Sequence, residues 1–264
     1  MLINTFCHIP RISINKEREL WCQGVLTWED YRGLAKNTDY LDESKHQLQK
    51  GDPLFFANAM KYDQHWRLFS DFRHSVAYID IETTGFSKYY DEITTIALYD
   101  GREVKTYVNG KNLEQFKEDI VEYKLLVSFN GKTFDIPFIE SYFGIRMRQA
   151  HIDLRYVLGR LGYSGGLKQI ERQMGFDRGN LSSVNGYFAV FLWGQYKARK
   201  NEAALKTLLA YNCADVINLE LLMVEAYNLN LKNTPFSLSK QLPTPGPVNI
   251  PFDVDTQLIR QCAC

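Results

Sequence analysis

Between residues 76 and 108 the apolar positions fall in short runs with polar breaks: "VAYIDIE", "ITTIALYD" and "EVKTYVN", with Asp100-Gly101 at one of the turns. Runs of this length and spacing predict three strands joined as an antiparallel meander. A helix-like "LEQFKEDIVEY" follows, then the apolar strand "LLVSF", the turn Asn130-Gly131 and a helix over 133–143 that tolerates Pro137 because it comes early. From 153 to about 230 the pattern is mostly helical, broken at "GYSGG" and "GFDRGN". Leu205, Leu208, Leu209, Val216, Leu219 and Met223 trace a buried stripe on its last helix. Residues 1–72 lack strand alternation. There "INKERELWCQGVLTWEDYRGL" predicts two short helices joined near Gly24, with Thr27 as the cap of the second. The chain thus divides into a helical leader (1–72), a central domain (73–230) and a proline-rich tail (231–264) expected to run extended over the surface. No internal repeat is visible.

The first strand carries an anomaly. Asp80 and Glu82 are two residues apart in an otherwise apolar run, so their side chains leave the same face. Neighbouring carboxylates repel and are costly to desolvate unless a positive charge lies between them. Either the strand end dips into solvent, or the pair is half of a Mg²⁺ or Mn²⁺ site that needs acids from elsewhere. Asp135 follows a strand and a glycine turn at the start of a helix. Asp215 lies inside the apolar helix, four residues after Tyr211 and so on the same face. Taken singly, each of these two is as well explained by an ion pair with a lysine.

Taken in order, "DIETTG", "SFNGKTFDIPF" and "YNCAD" resemble the three motifs of the DEDD (DnaQ-like) 3′–5′ exonucleases. The Tyr-to-Asp spacing of four marks the DEDDy branch. The run "HIDLRYVLGRLGYSGGLKQIERQMG" and the leader "FCHIPRISINKERELWCQGVLTWEDY" are similar to YprB-type ribonuclease-H-like proteins, so the resemblance covers residues 1 to about 230. It implies an α/β fold: a ribonuclease-H-like mixed sheet with an antiparallel meander, flanked by helices, with a helical N-terminal extension and an extended C-terminal tail. It implies two Mg²⁺ or Mn²⁺ ions held by Asp80, Glu82, Asp135 and Asp215, with Tyr211 orienting the attacking water. Thr83, Thr84 and Gly85 would receive the terminal 3′-OH, and Phe86, Asn130 and Phe134 would contact the end nucleotide; core packing is the other reading of the two phenylalanines. The implied activity is release of nucleoside 5′-monophosphates from the 3′ end of single-stranded DNA. An RNA 3′-trimming enzyme and a silent nucleic-acid-binding or metal-sensing module are the alternatives. The leader departs from one pattern: where a helix-hairpin-helix turn has Pro-Gly-Ile-Gly, this chain has Pro10-Arg11-Ile12-Ser13, which favours packing over DNA binding there.

Composition narrows the picture in three ways. Lys plus Arg and Asp plus Glu balance at 31 each, so nucleic-acid binding is expected to be local to a groove. No signal peptide and no membrane-spanning run are read, so a cytoplasmic monomer without membrane contact is expected. Five cysteines fit a reducing compartment. Cys213 reads as a small buried residue. Cys7, Cys22, Cys262 and Cys264 cluster at the two ends, the ligand count of a [4Fe–4S] cluster or, alternatively, a Zn²⁺ site, with free thiols as the plain alternative. Three smaller expectations complete the reading: Asp153 as a helix cap, His151 as structural, and Lys132 as solvated or touching phosphate.

Overall fold

Five strands form one mixed sheet: β1 (Val76–Thr83), β2 (Ile93–Tyr99), β3 (Val104–Val108), β4 (Leu125–Ser128) and β5 (Ala150–Asp153), in the order β3-β2-β1-β4-β5. The coordinates are a computed structural model and describe residues 1–181, 184 and 186–262. β1, β2 and β3 are the antiparallel meander that the apolar runs predict, while β4 and β5 run parallel to β1. The α/β fold expected from the resemblance is the one observed. Pairing of β1 with β4 covers only Val76↔Leu125 to Tyr78↔Val127. β1 therefore outlasts its parallel neighbour, and Asp80 and Glu82 lie on the part that projects.

Among the described residues, twelve α-helices accompany the sheet: α1 (Ile14–Cys22), α2 (Trp28–Arg32), α3 (Asp39–Lys50), α4 (Pro53–Ala59), α5 (Phe69–Phe72), α6 (Phe116–Asp119), α7 (Asp135–Phe143), α8 (Leu154–Arg160), α9 (Leu167–Gln173), α10 (Gly186–Arg199), α11 (Glu202–Leu231) and α12 (Thr256–Cys262). The period of two in β1 sorts its side chains cleanly. Ala77, Ile79 and Ile81 enter one core with Phe116, Phe138 and Ile139. Val76 and Tyr78 enter the other, against Val216, Leu219, Met223 and Tyr227 of α11. Asp80 and Glu82 continue the row that faces α11. The 30-residue α11 starts at Asn201, whose side chain accepts from the Ala203 and Ala204 amides.

Leader residues Phe6, Trp28, Phe56 and Trp66 belong to the same core as β1 and α11, so packing runs straight across residue 72. Thr27 and Asp30 form a reciprocal capping box on α2. Three features differ from the sequence reading. β5, "AHID", is an added strand; its four residues carry no alternation and pair only because β4 lies beside them. α12 breaks the extended tail: Asp255 accepts from the Gln257 and Leu258 amides, and Ile259 packs beside Trp193 and Leu208. α11 is, by length and composition, apolar enough to cross a membrane, contrary to the expectation of no such run. Yet 89% of its most apolar window is buried inside the protein, so that apolar surface is already covered by the sheet and its neighbours.

Candidate active site

The projecting end of β1, the start of α7 and the middle of α11 meet at one acidic pole. One ligand oxygen from each of Asp80, Glu82 and Asp215 lies within 4.8 Å of the others. Asp80 is half-buried, while Glu82, Asp135 and Asp215 are buried. Asp135 reaches β1 from the other side of the strand gap: its Oδ1 accepts from the Ile81 amide at 3.2 Å, at a point where β4 no longer supplies a partner. Asn212, a residue with no signal in the sequence beyond its place next to Tyr211, fixes Asp80. Its Nδ2 donates to Asp80 Oδ2 at 2.8 Å, and its Oδ1 accepts from Thr95 Oγ1 at 3.0 Å.

The electrostatics follow from crowding. Burial, then repulsion from Asp215, Asp135 and Glu82, pushes the Asp80 carboxyl well above the usual range. Burial and Asp215 do the same to Glu82, with Lys168 working against them. Burial takes Asp135 up to about 7. Tyr211, buried on the same helix face as Asp215, has its phenol raised by burial and by the negative charge of Asp215, Glu82 and Asp80. Such a set is short of positive charge, and three convergent hard oxygen donors are the chemistry that a Mg²⁺ or Mn²⁺ ion requires. The donors present therefore fit a divalent cation.

Two cations that the sequence reading missed border the acids. Arg178, from the "GFDRGN" break, pairs through Nη1 with Asp215 and through Nε and Nη2 with Glu171. Lys168 of α9 places Nζ 4.4 Å from the centroid of the Tyr211 ring, and that buried ammonium has no hydrogen-bond partner among the described residues. Neither has a local signature; only the packing of α9 and the following turn against α11 brings them in.

The mouth of the pole is built by the loop after β1. Thr83 Oγ1 donates to the Gly85 carbonyl at 2.6 Å. Asp91 closes the loop, accepting from Thr84 Oγ1 and from the Ser87 amide. A Cβ on Gly85 would lie 2.6 Å from the Asp91 carboxylate, so a side chain there would have to displace Asp91 from the loop it closes. Phe86 is 80% exposed and meets Phe134 edge-on, with ring centroids 6.2 Å apart; Phe134 also contacts the core residue Phe138. Asn130 takes a left-handed φ of 65°. Its amide and that of Lys132 donate to the two oxygens of Asp153. Asp153 also caps α8 through the Arg155 amide. His151 is buried on Ser128 Oγ at 2.7 Å, and burial keeps it neutral. Lys132 lies 4.4 Å above the Tyr62 ring.

Of the described cysteines, Cys7 and Cys22 lie in the leader and Cys213 lies two residues before Asp215. Cys213 is fully buried in α11. Cys7 is half-buried, with its thiol pushed up to about 12 by burial, and Cys22 is exposed at the end of α1. The side chain of Cys262 and all of Cys264 lie outside the described residues.

Comparison with known proteins adds a family. The sequence profile of the RNase_H superfamily matches residues 77–227, more than half of the chain. No curated protein matches the sequence. Among solved structures, the chain is similar to the family B DNA polymerase of the hyperthermophilic archaeon Pyrobaculum calidifontis, with TM-score 0.45 and 15% identity over 59% of this chain. It spans only 26% of that polymerase. It is also similar to a nuclease in its apo form, with TM-score 0.43 and 19% identity over 60% of this chain and 74% of that one. NrnC of Brucella melitensis with bound Mg²⁺ gives TM-score 0.42 and 17% identity over 62% of this chain and 77% of that one.

Proposed function

We propose, for a chain that belongs to the RNase_H superfamily, that the acidic pole is a metal-dependent nuclease centre that removes nucleotides from the 3′ end of single-stranded DNA. The observation that carries this reading is the convergence of Asp80, Glu82 and Asp215 within 4.8 Å, with Asp135 held on the neighbouring Ile81 amide. In this reading Asp80, Glu82 and Asp215 hold the ions and Asp135 supports them. Bound divalent cations supply an acidified water and charge compensation at the leaving 3′-oxygen. The chain does the rest. Asn212 keeps the Asp80 carboxylate turned into the pole. The Tyr211 hydroxyl orients the attacking water by hydrogen bonding; with its phenol raised, it stays protonated and acts as a donor. The Thr83–Gly85 backbone receives the terminal 3′-OH, the exposed Phe86 ring stacks on the end base, and Phe134 and Asn130 contact the end nucleotide. The open, projecting rim of β1 favours a free strand end over the middle of a duplex.

Digestion of 5′-labelled single-stranded DNA, duplex DNA and RNA, with Mg²⁺ and with Mn²⁺, tests this reading. The expected result is a ladder of 3′-shortened single-stranded DNA and free 5′-mononucleotides, blocked by a 3′-phosphate and indifferent to a 5′-phosphate. RNA degraded in preference to DNA would reassign the substrate. Equal cleavage of both blocked strands would mean endonuclease action or the opposite polarity.

A further inference from the structure

The acidic pole gathers more negative charge than its own residues can neutralise, yet one guanidinium is built into it. Arg178 is 3% exposed, and its partners Glu171 and Asp215 are 1% and 5% exposed. Its Nη2 donates to Glu171 Oε1 at 2.6 Å, and Asn218 Nδ2 donates to that same oxygen at 3.0 Å. Nη1 is left for Asp215 alone. Burial opposes the charge of Arg178, but Asp215 and Glu171 more than offset this and hold it protonated. The guanidinium therefore has one end anchored away from the acids and the other on a carboxylate that also faces Asp80 and Glu82. A divalent cation bound to Asp215 would lie within a few ångströms of that Nη1. Like charges so close in a buried setting repel strongly, so the two cannot share Asp215 at full strength.

We infer that Arg178 is a positioning residue that stands in for the metal: it occupies Asp215 in the metal-free protein and yields Asp215 to the incoming cation while remaining anchored on Glu171. The inference rests on the metal-site reading above and adds a competitor to it. It has two consequences. The metal-free fold is spared much of the mutual repulsion of Asp80, Glu82 and Asp215, and metal affinity is lower than the donor set alone would give.

Mn²⁺ affinity by titration calorimetry, and melting temperature in EDTA, are measured on the wild type, Arg178→Gln and Lys168→Gln. Arg178→Gln is expected to tighten Mn²⁺ binding about tenfold or more, the equivalent of one charge-assisted hydrogen bond released from Asp215. It should also lower the EDTA melting temperature by several degrees, of which saturating Mn²⁺ restores the part owed to Asp215, while Glu171 stays buried without its cation. Lys168→Gln deletes the same unit of charge from the same neighbourhood without touching a carboxylate, and should tighten Mn²⁺ much less. Equal tightening in both variants would reduce the effect to net charge and overturn the inference, as would unchanged or weaker Mn²⁺ binding in Arg178→Gln. A wild type and variants that all fail to bind Mn²⁺ would instead sink the metal-site reading, and the inference with it. Should Arg178→Gln not fold, the wild type still decides. Its Arg178 Nη1–H resonances, identified by their loss in Arg178→Lys, should shift on Mg²⁺ titration while the Nε–H held on Glu171 moves less, and unmoved Nη1–H resonances would overturn the inference.

Discussion

Two buried arginine–carboxylate arrangements divide this protein. In the leader, Arg67 and Glu17 are 3% and 0% exposed, and every end of the pair is met. Glu17 accepts from Arg67 and from the Phe6 and Cys7 amides, and Arg67 reaches Gln64 and Thr5 and lies over the Trp66 ring at 4.9 Å. At the pole, Arg178 serves Glu171 and Asp215, while Asp80 and Glu82 beside them have no salt bridge among the described residues. A closed network is structural, because a buried charge is tolerated only when paired and hydrogen-bonded. An open one, left short of positive charge by its own fold, could take up an outside cation.

The sharpest break between the two regions is in activity. Asp80→Ala should cut 3′-end hydrolysis by at least about a thousandfold, the rate equivalent of several kcal/mol of lost metal-ion stabilisation. The same variant should melt no lower than the wild type in EDTA, because a repelling carboxylate has gone. Full activity in purified Asp80→Ala protein would remove the pole from the chemistry. Arg67→Met should behave in the opposite way. It leaves Glu17 buried and unpaired, costing about 3–5 kcal/mol of stability, and activity per folded molecule should stay unchanged. Denaturant unfolding followed beside a rate assay separates the two.

Phe86→Ala comes next in size. Loss of one aromatic–base contact is worth about 1–3 kcal/mol, read as weaker binding of a 5′-labelled oligonucleotide with a free 3′-OH by fluorescence anisotropy, with Mn²⁺ affinity unaffected. An affinity for the strand equal to wild type would place Phe86 outside the substrate path. The smallest effect is a slope with pH. Asp135, at about 7 in the fold and about 3.9 when unfolded, keeps a proton that the unfolded chain has released. The metal-free protein should therefore lose stability as pH rises between those values, by at most about 1.4 kcal/mol per pH unit for this group. Asp135→Asn should gain on the wild type across that window in EDTA; a gap that stays constant with pH would refute the shift. His8, lowered by burial to about 3, gives the leader the opposite slope. The unfolded chain takes up a proton below about 6.5, so stability falls as pH drops from there.

Much of this was legible in the chain. The meander, the strand of residue 125 and the long apolar helix follow from periodicity alone, because each buries a face whose spacing is fixed by its own geometry. The acids were legible as a set only through their order, since Asp135 and Asp215 taken singly read equally well as members of ion pairs. Asp215 is in fact in one, with Arg178 rather than a lysine. What stayed hidden depends on contacts distant in sequence. β5 exists because β4 offers it a ladder, and α12 because Asp255 caps it and its amide donates to Thr207 Oγ1 of α11 at 2.9 Å. Arg178, Lys168 and Asn212 carry no motif; a charged residue in a turn reads as solvated until a helix is found packed over it.

The loop that Asp91 ties shut has a thermodynamic consequence. Phe86 stands out at 80% exposure, yet the backbone beneath it is fixed by the Thr84 and Ser87 bonds to Asp91, whose carboxylate packs close over Gly85. Its order is established when the protein folds, so it drops out of the entropy balance of recognition. On the proposed reading, a strand end that stacks on Phe86 would give up its own freedom and little of the protein's.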